Sequence, residues 1–214
     1  MRSKVCGLNS VSQLMQLDEM EVEFGGFIFY PKSPRYILKH VQPADLKKAK
    51  GKNINKVGVF VNETADQVLK QVDDCGLYLV QLHGDETPKY CEKIADYVTV
   101  IKAFRIRNDD DVLWKIKDYQ DIVDMFLFDT AGSAFGGTGE KFDWTILQNL
   151  SINKPFFLSG GIGPEDVTLL QEFTKLPVTK DLFSIDINSK FETSPGNKDM
   201  SMVAPFIQKI KQIK

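Results

Sequence analysis

The chain predicts an α/β protein built as a single (β/α)₈ barrel of the TIM type, and three observations carry the prediction. Short apolar runs alternate with amphipathic helical stretches along the whole length. Eight such runs recur about 25 residues apart, so 214 residues accommodate eight strand–helix units. No Pro/Ser-rich linker or low-complexity tract divides them, and one domain is expected over 1–214. The alternation implies parallel strands joined by right-handed crossovers, and eight units favour closure over an open doubly wound sheet. Chemistry in such a barrel belongs at the C-terminal ends of the strands.

The first candidate strand is KVCGL (4–8), followed by a helix that Ser10 can cap. Strand side chains alternate, so Lys4, Cys6 and Leu8 share a face. If that face points inward, the Lys4 ammonium lies one pleat below the sulfur and draws the thiol toward thiolate. Cys6 is then a base or nucleophile; the plainer reading is a buried structural cysteine. The second strand, GGFIFY (25–30), runs into PKSPRY, where two prolines stiffen the loop that presents Arg35. An arginine so held suits bidentate recognition of a carboxylate, the alternative being a solvated surface side chain. KVGVFVN (56–62) and LYLVQLHG (77–84) follow, with helices after them capped by Thr64 and Thr87. His83 ends the fourth strand, where it touches a substrate or satisfies a neighbouring hydroxyl.

The fifth strand is VTVIKAF (98–104), with a helical pattern over 109–120 behind it. The sixth, MFLFDT (125–130), ends in Asp129. Flanking aromatics remove water from a carboxyl group and favour its proton-donating form, although a cap or a paired carboxylate also fits. Gly136, Gly137 and Gly139 then form a Gly-rich loop before Asp143, which stands where a helix would begin. PFFLSGG (155–161) supplies a second such turn at Ser159, Gly160 and Gly161, before a helix opened by Pro164. Two glycine-rich turns on adjacent strand ends suit a phosphate cradle of backbone amides. LFSIDIN (182–188) places Asp186 and Asn188 at the eighth strand end, for a sugar hydroxyl or for loop anchoring. A last helix, roughly 199–213, completes the count.

Composition narrows the partners. A net charge of −2 argues against nucleic acid, so an anion site must be local. No apolar run reaches the roughly 20 residues of a membrane span, and the N-terminal stretch lacks the apolar core of a signal peptide. Three widely spaced cysteines without a CxxC suggest reduced thiols in a cytoplasmic protein, with Cys75 and Cys91 inert in the core. Only two histidines are present, and no metal site is expected.

KVCGL, FIFYPKSPRYI, KVGVFVNE, VQLHGDE, VIKAF, FLFDT, GGTGEKFDW, LSGGIGPEDV and SPGNKD, in this order, resemble the phosphoribosylanthranilate isomerase family of tryptophan biosynthesis. The resemblance implies a (β/α)₈ barrel and an Amadori rearrangement of N-(5-phosphoribosyl)anthranilate without metal or organic cofactor. It implies Cys6 as general base, Asp129 as general acid and Arg35 on the anthranilate carboxylate. Backbone amides of the seventh and eighth strand loops, including Ser189, are implied for phosphate. Two departures stand out: the family's CGIT reads CGLN here, changing Asn9, and its DVSSGVE reads DINSKFE, placing Lys190 where the family has glycine. The partner expected is this small molecule, and the protein acts as a monomer or homodimer.

Other readings carry less of the sequence. Indole-glycerol-phosphate synthases rely on lysines and glutamates at strand ends, and ribulose-phosphate epimerases on paired aspartates and histidines with a metal. A catalytically dead phosphate-binding barrel would not need Cys6, Asp129 and Arg35 together. A thiol redox protein would want a resolving cysteine near Cys6 in sequence.

Overall fold

The structure is a computed structural model, and it describes residues 1–131 and 142–213. Eight parallel strands close into a barrel in chain order: β1 (Ser3–Val5), β2 (Phe24–Ile28), β3 (Asn55–Phe60), β4 (Leu79–Leu82), β5 (Thr99–Ile106), β6 (Met125–Thr130), β7 (Phe156–Leu158) and β8 (Leu182–Ile187). Each falls within or beside its predicted run. Closure is made by β1 against β8, with Lys4 opposite Asp186.

Helices α1 (Val11–Glu19), α2 (Pro43–Lys48), α3 (Ala65–Cys75), α4 (Pro88–Ala95), α5 (Val112–Ile116), α6 (Val167–Phe173) and α7 (Met200–Lys211) occupy the connections. The side chains of Ser10, Thr64 and Thr87 accept the N–H groups of Gln13, Gln67 and Tyr90, which caps α1, α3 and α4 as expected. Three details differ from the sequence expectation. The six-residue α2 is too short to show a helical period. The 109–120 pattern yields only α5 and a 3₁₀ turn at Lys117–Tyr119. Asp143 does cap, through Thr145 N at 2.9 Å, but what it opens is a 3₁₀ turn, Trp144–Leu147.

A small antiparallel hairpin, β9 (Glu192–Ser194) and β10 (Asn197–Lys198), follows β8 and was not anticipated. No helix among the described residues is long and apolar enough to cross a membrane.

Alternation along the strands sorts two cores. Outward residues such as Phe126, Phe128 and Phe156 pack under the helices, while Phe24, Val57, Leu79, Ile101, Leu127 and Phe157 fill the barrel interior. Phe24 and Phe157 meet edge-to-face across that interior, with centroids 5.5 Å apart. Burial of each such side chain contributes about 1.5–3 kcal/mol. This apolar plug floors the cavity above it, so ligand access is from the C-terminal end of the strands.

Candidate active site

Above the plug, the inward positions turn polar. Cys6, Gln81, His83, Asp129 and Asp186 line one cleft that holds about 720 Å³ of empty space, part of it continuous with solvent. Residues in or just beyond β1, β4, β6 and β8 thus converge although they lie far apart in sequence. Ser159, Gly160, Gly161, Asn188 and Ser189 line the same cleft from the β7 and β8 loops.

Cys6 follows β1 and is only 4% exposed. Lys4 does lie on its inner face, but its ammonium is committed to Asp186 Oδ2 at 2.8 Å, with neither side chain more than 5% exposed. Burial pushes the Cys6 thiol above its ordinary value, and the attraction of Lys4 and Lys198 only partly offsets it. The expected draw toward thiolate is therefore overturned: desolvation outweighs the lysine. Burial likewise raises the Asp186 carboxyl, with Lys4 opposing. Its Oδ1 is buried and accepts no hydrogen bond among the described residues.

Asp129 points inward with Leu127, whereas Phe126 and Phe128 point to the helices. The aromatic flank read from the sequence is therefore on the wrong side of the strand to desolvate the acid. Its actual neighbour is His83, whose Nε2 lies 3.2 Å from Asp129 Oδ2, while Thr130 N donates to Oδ1 at 2.9 Å. Gln81 Nε2 donates to His83 Nδ1 at 2.7 Å, so Gln81, His83 and Asp129 form one chain of polar contacts. Sequence reasoning passed over Gln81; its signal was its place two residues before His83, on the same strand face.

A buried clasp fixes the loop carrying His83. Glu86 Oε2 accepts from Gly84 N at 2.9 Å and from Lys102 Nζ at 2.9 Å, and Glu86 Oε1 accepts from Asn62 N at 2.9 Å. Beyond β7, Gly160 has φ +94°, and a Cβ there would collide with Thr130 Oγ1 and lie 2.7 Å from Thr130 N. Only glycine lets this turn close against the end of β6, beside Asp129.

Arg35 does not line the cleft. Its Nε lies 2.9 Å from Glu192 Oε1 and its Nη2 lies 2.6 Å from Glu192 Oε2, a bidentate pair at the rim. Lys190 is exposed, between the cleft-lining Ser189 and the fully buried Phe191. Gly136, Gly137 and Gly139 lie outside the described residues.

A family model described as N-(5'phosphoribosyl)anthranilate (PRA) isomerase matches residues 3–209. The chain belongs to the phosphoribosylanthranilate isomerase family. A curated N-(5'-phosphoribosyl)anthranilate isomerase from Phocaeicola vulgatus is 40% identical over 98% of this chain and 97% of its own. A phosphoribosyl anthranilate isomerase crystal structure from Thermotoga maritima superposes with TM-score 0.84 at 33% identity, over 99% of this chain and 98% of that one. Another isomerase of the family, solved with reduced 1-(o-carboxyphenylamino)-1-deoxyribulose 5-phosphate, has TM-score 0.80 at 30% identity, covering 99% and 98%.

Against the isomerase pattern, the two departures now have physical settings. Asn9 donates from Nδ2 to Asn197 Oδ1 at 2.9 Å, and its Oδ1 accepts from Gln13 Nε2 at 2.8 Å, so the altered residue ties the β1 loop to the hairpin. Lys190 is exposed, and Ser189 beside it lines the cleft.

Proposed function

We propose that this chain converts N-(5-phosphoribosyl)anthranilate into 1-(2-carboxyphenylamino)-1-deoxyribulose 5-phosphate, a step of tryptophan biosynthesis, with Asp129 as general acid and Cys6 as general base. The observation that carries the assignment of roles is that these two groups, on β6 and just beyond β1, line one cleft in a chain of the isomerase family.

Asp129 protonates the furanose ring oxygen; the C1′–O bond breaks and the anilino nitrogen lone pair forms the iminium. Cys6 then removes the C2′ proton, whose electrons form the enolamine double bond, and protonation at C1′ with loss of the hydroxyl proton gives the ketone. Substrate and product are isomers, so the rearrangement needs no external oxidant or reductant. The raised thiol is compatible with this order, because the iminium brings a positive charge into the cleft and favours thiolate when the base is needed. His83, against Asp129 Oδ2, steadies the carboxylate left after proton donation. Asp186 Oδ1 and Gln81 Oε1, buried acceptors without partners among the described residues, suit the ribose hydroxyls. Backbone of the Ser159–Gly161 and Asn188–Ser189 turns faces the phosphate.

The test is the disappearance of phosphoribosylanthranilate fluorescence. Purified protein should turn the substrate over, and Asp129→Asn and Cys6→Ser should each lower kcat by about 10²–10⁴-fold. Binding of the reduced product analogue should change little. An inactive wild-type protein would overturn the activity; fully active variants would overturn the two roles.

A further inference from the structure

Arg35 is not a free arm. Its stem lies over the chain just beyond Cys6: a Cβ on Gly7 would be 2.7 Å from Arg35 Cδ and 2.7 Å from Asn188 Oδ1. Among the described residues, Glu192 is the only acceptor on its guanidinium, held along the Nε–Nη2 edge. Glu192 in turn does not depend on Arg35 for its place. Its Oε1 also accepts from Lys198 Nζ at 2.6 Å and from Gly196 N at 3.1 Å, and its side chain is 4% exposed.

Lys198 is fully buried and donates to Asn188 Oδ1 at 2.7 Å as well, so it ties the cleft wall to the hairpin. The hairpin is anchored from the other side by Asn9 on Asn197 and by Gln13 Nε2 on Gly196 O at 3.1 Å. Among the described residues, two cations and one carboxylate give this cluster a formal charge of +1 at the rim of the cleft. An anionic ligand group is what balances it, and Glu192, fixed by three donors, cannot swing away to vacate Arg35.

We propose that Glu192 and Lys198 are positioning residues for substrate recognition: Glu192, locked by Lys198, grips one edge of Arg35 so that the remaining Nη1 edge meets the aromatic carboxylate of the substrate. The inference rests on the isomerase reading, with Arg35 as the carboxylate clamp. The planar fork of arginine allows two carboxylates on different edges, which a lysine at position 35 would not orient. The contribution of Glu192 is preorganisation: the side chain is ordered before substrate arrives, so less freedom is lost on binding.

The experiment measures two competitive inhibitors, reduced 1-(2-carboxyphenylamino)-1-deoxyribulose 5-phosphate and its counterpart lacking the ring carboxylate. Glu192→Gln should weaken the carboxylated inhibitor about tenfold and leave the other within about twofold, while kcat falls less than KM rises. Arg35→Ala should show the same discrimination, and the double variant should be no worse than Arg35→Ala alone. Equal weakening of both inhibitors by Glu192→Gln, or additive losses in the double variant, would overturn the proposal. Equal weakening of both inhibitors by Arg35→Ala, or weakening of neither, would instead overturn the clamp reading beneath it. Should Glu192→Gln not fold, Glu192→Asp keeps the charge beside Lys198, withdraws it from Arg35, and faces the same two outcomes.

Discussion

Lys4 Nζ lies 2.8 Å from Asp186 Oδ2, and the pair is sealed inside the barrel between its first and last strands. The lysine under the thiol is therefore not a free positive charge but half of an ion pair. Removing it strands a buried carboxylate. Lys4→Met is expected to cost about 3–5 kcal/mol in urea denaturation, the range for breaking one partner of a buried pair. A loss below about 1 kcal/mol would mean the carboxyl is content without its cation.

The buried thiols give stability a pH dependence. Burial pushes Cys75 up to about 11 and Cys91 up to about 12, from an ordinary 9.0. The folded chain thus holds these protons at a pH where the unfolded chain releases them. Stability is fully present below about pH 9 and declines as pH rises through 11 and 12, by about 1.4 kcal/mol per unit for each thiol. Denaturant midpoints measured from pH 8 to 10.5 should fall, and a Cys75→Ala/Cys91→Ala double variant should show a shallower slope. Parallel slopes would assign the dependence to other groups.

Cys6 should alkylate slowly. With its thiol raised by burial and 4% exposed, iodoacetamide at pH 8 is expected to modify it well below the rate of a free peptide thiol. A rate equal to or above the free thiol would restore the lysine-activated picture.

Gln81 offers a test of the contact chain behind the acid. Gln81→Met removes the donor to His83 Nδ1 while preserving bulk. Activity should drop about tenfold in kcat, while KM changes less. An unaltered kcat would show that His83 is oriented by its other surroundings.

Gly160→Ala tests the turn beside Asp129. Because φ is +94° and the new Cβ meets Thr130, the substitution should cost about 1–3 kcal/mol and weaken phosphate-bearing inhibitors. Retention of both stability and affinity would remove the turn from the phosphate site.

Alternation and strand ends made the fold legible in the sequence, and an eight-unit count puts Cys6 and Asp129 at the lip of the barrel, where both line one cleft. What stayed hidden depended on partners remote in the chain. Arg35 meets Glu192 across 157 positions and Lys4 meets Asp186 across 182, and no local period announces either. Phe126 and Phe128 misled because neighbours in a strand are on opposite faces, so adjacency to Asp129 meant separation from it. Lys190 stands where the family has glycine, and the sequence leaves its direction open; it is exposed, between the buried Phe191 and the cleft-lining Ser189.

Closure of β1 on β8 has a consequence for synthesis on the ribosome. Until Leu182–Ile187 emerges, the first strand keeps an open backbone edge, and Lys4 waits for a counter-ion that has not yet been translated. That open edge is a place where other chains can pair. The strand that shuts the ring also carries Asp186 into the cleft, so the wall around Cys6 is completed by the last barrel strand translated.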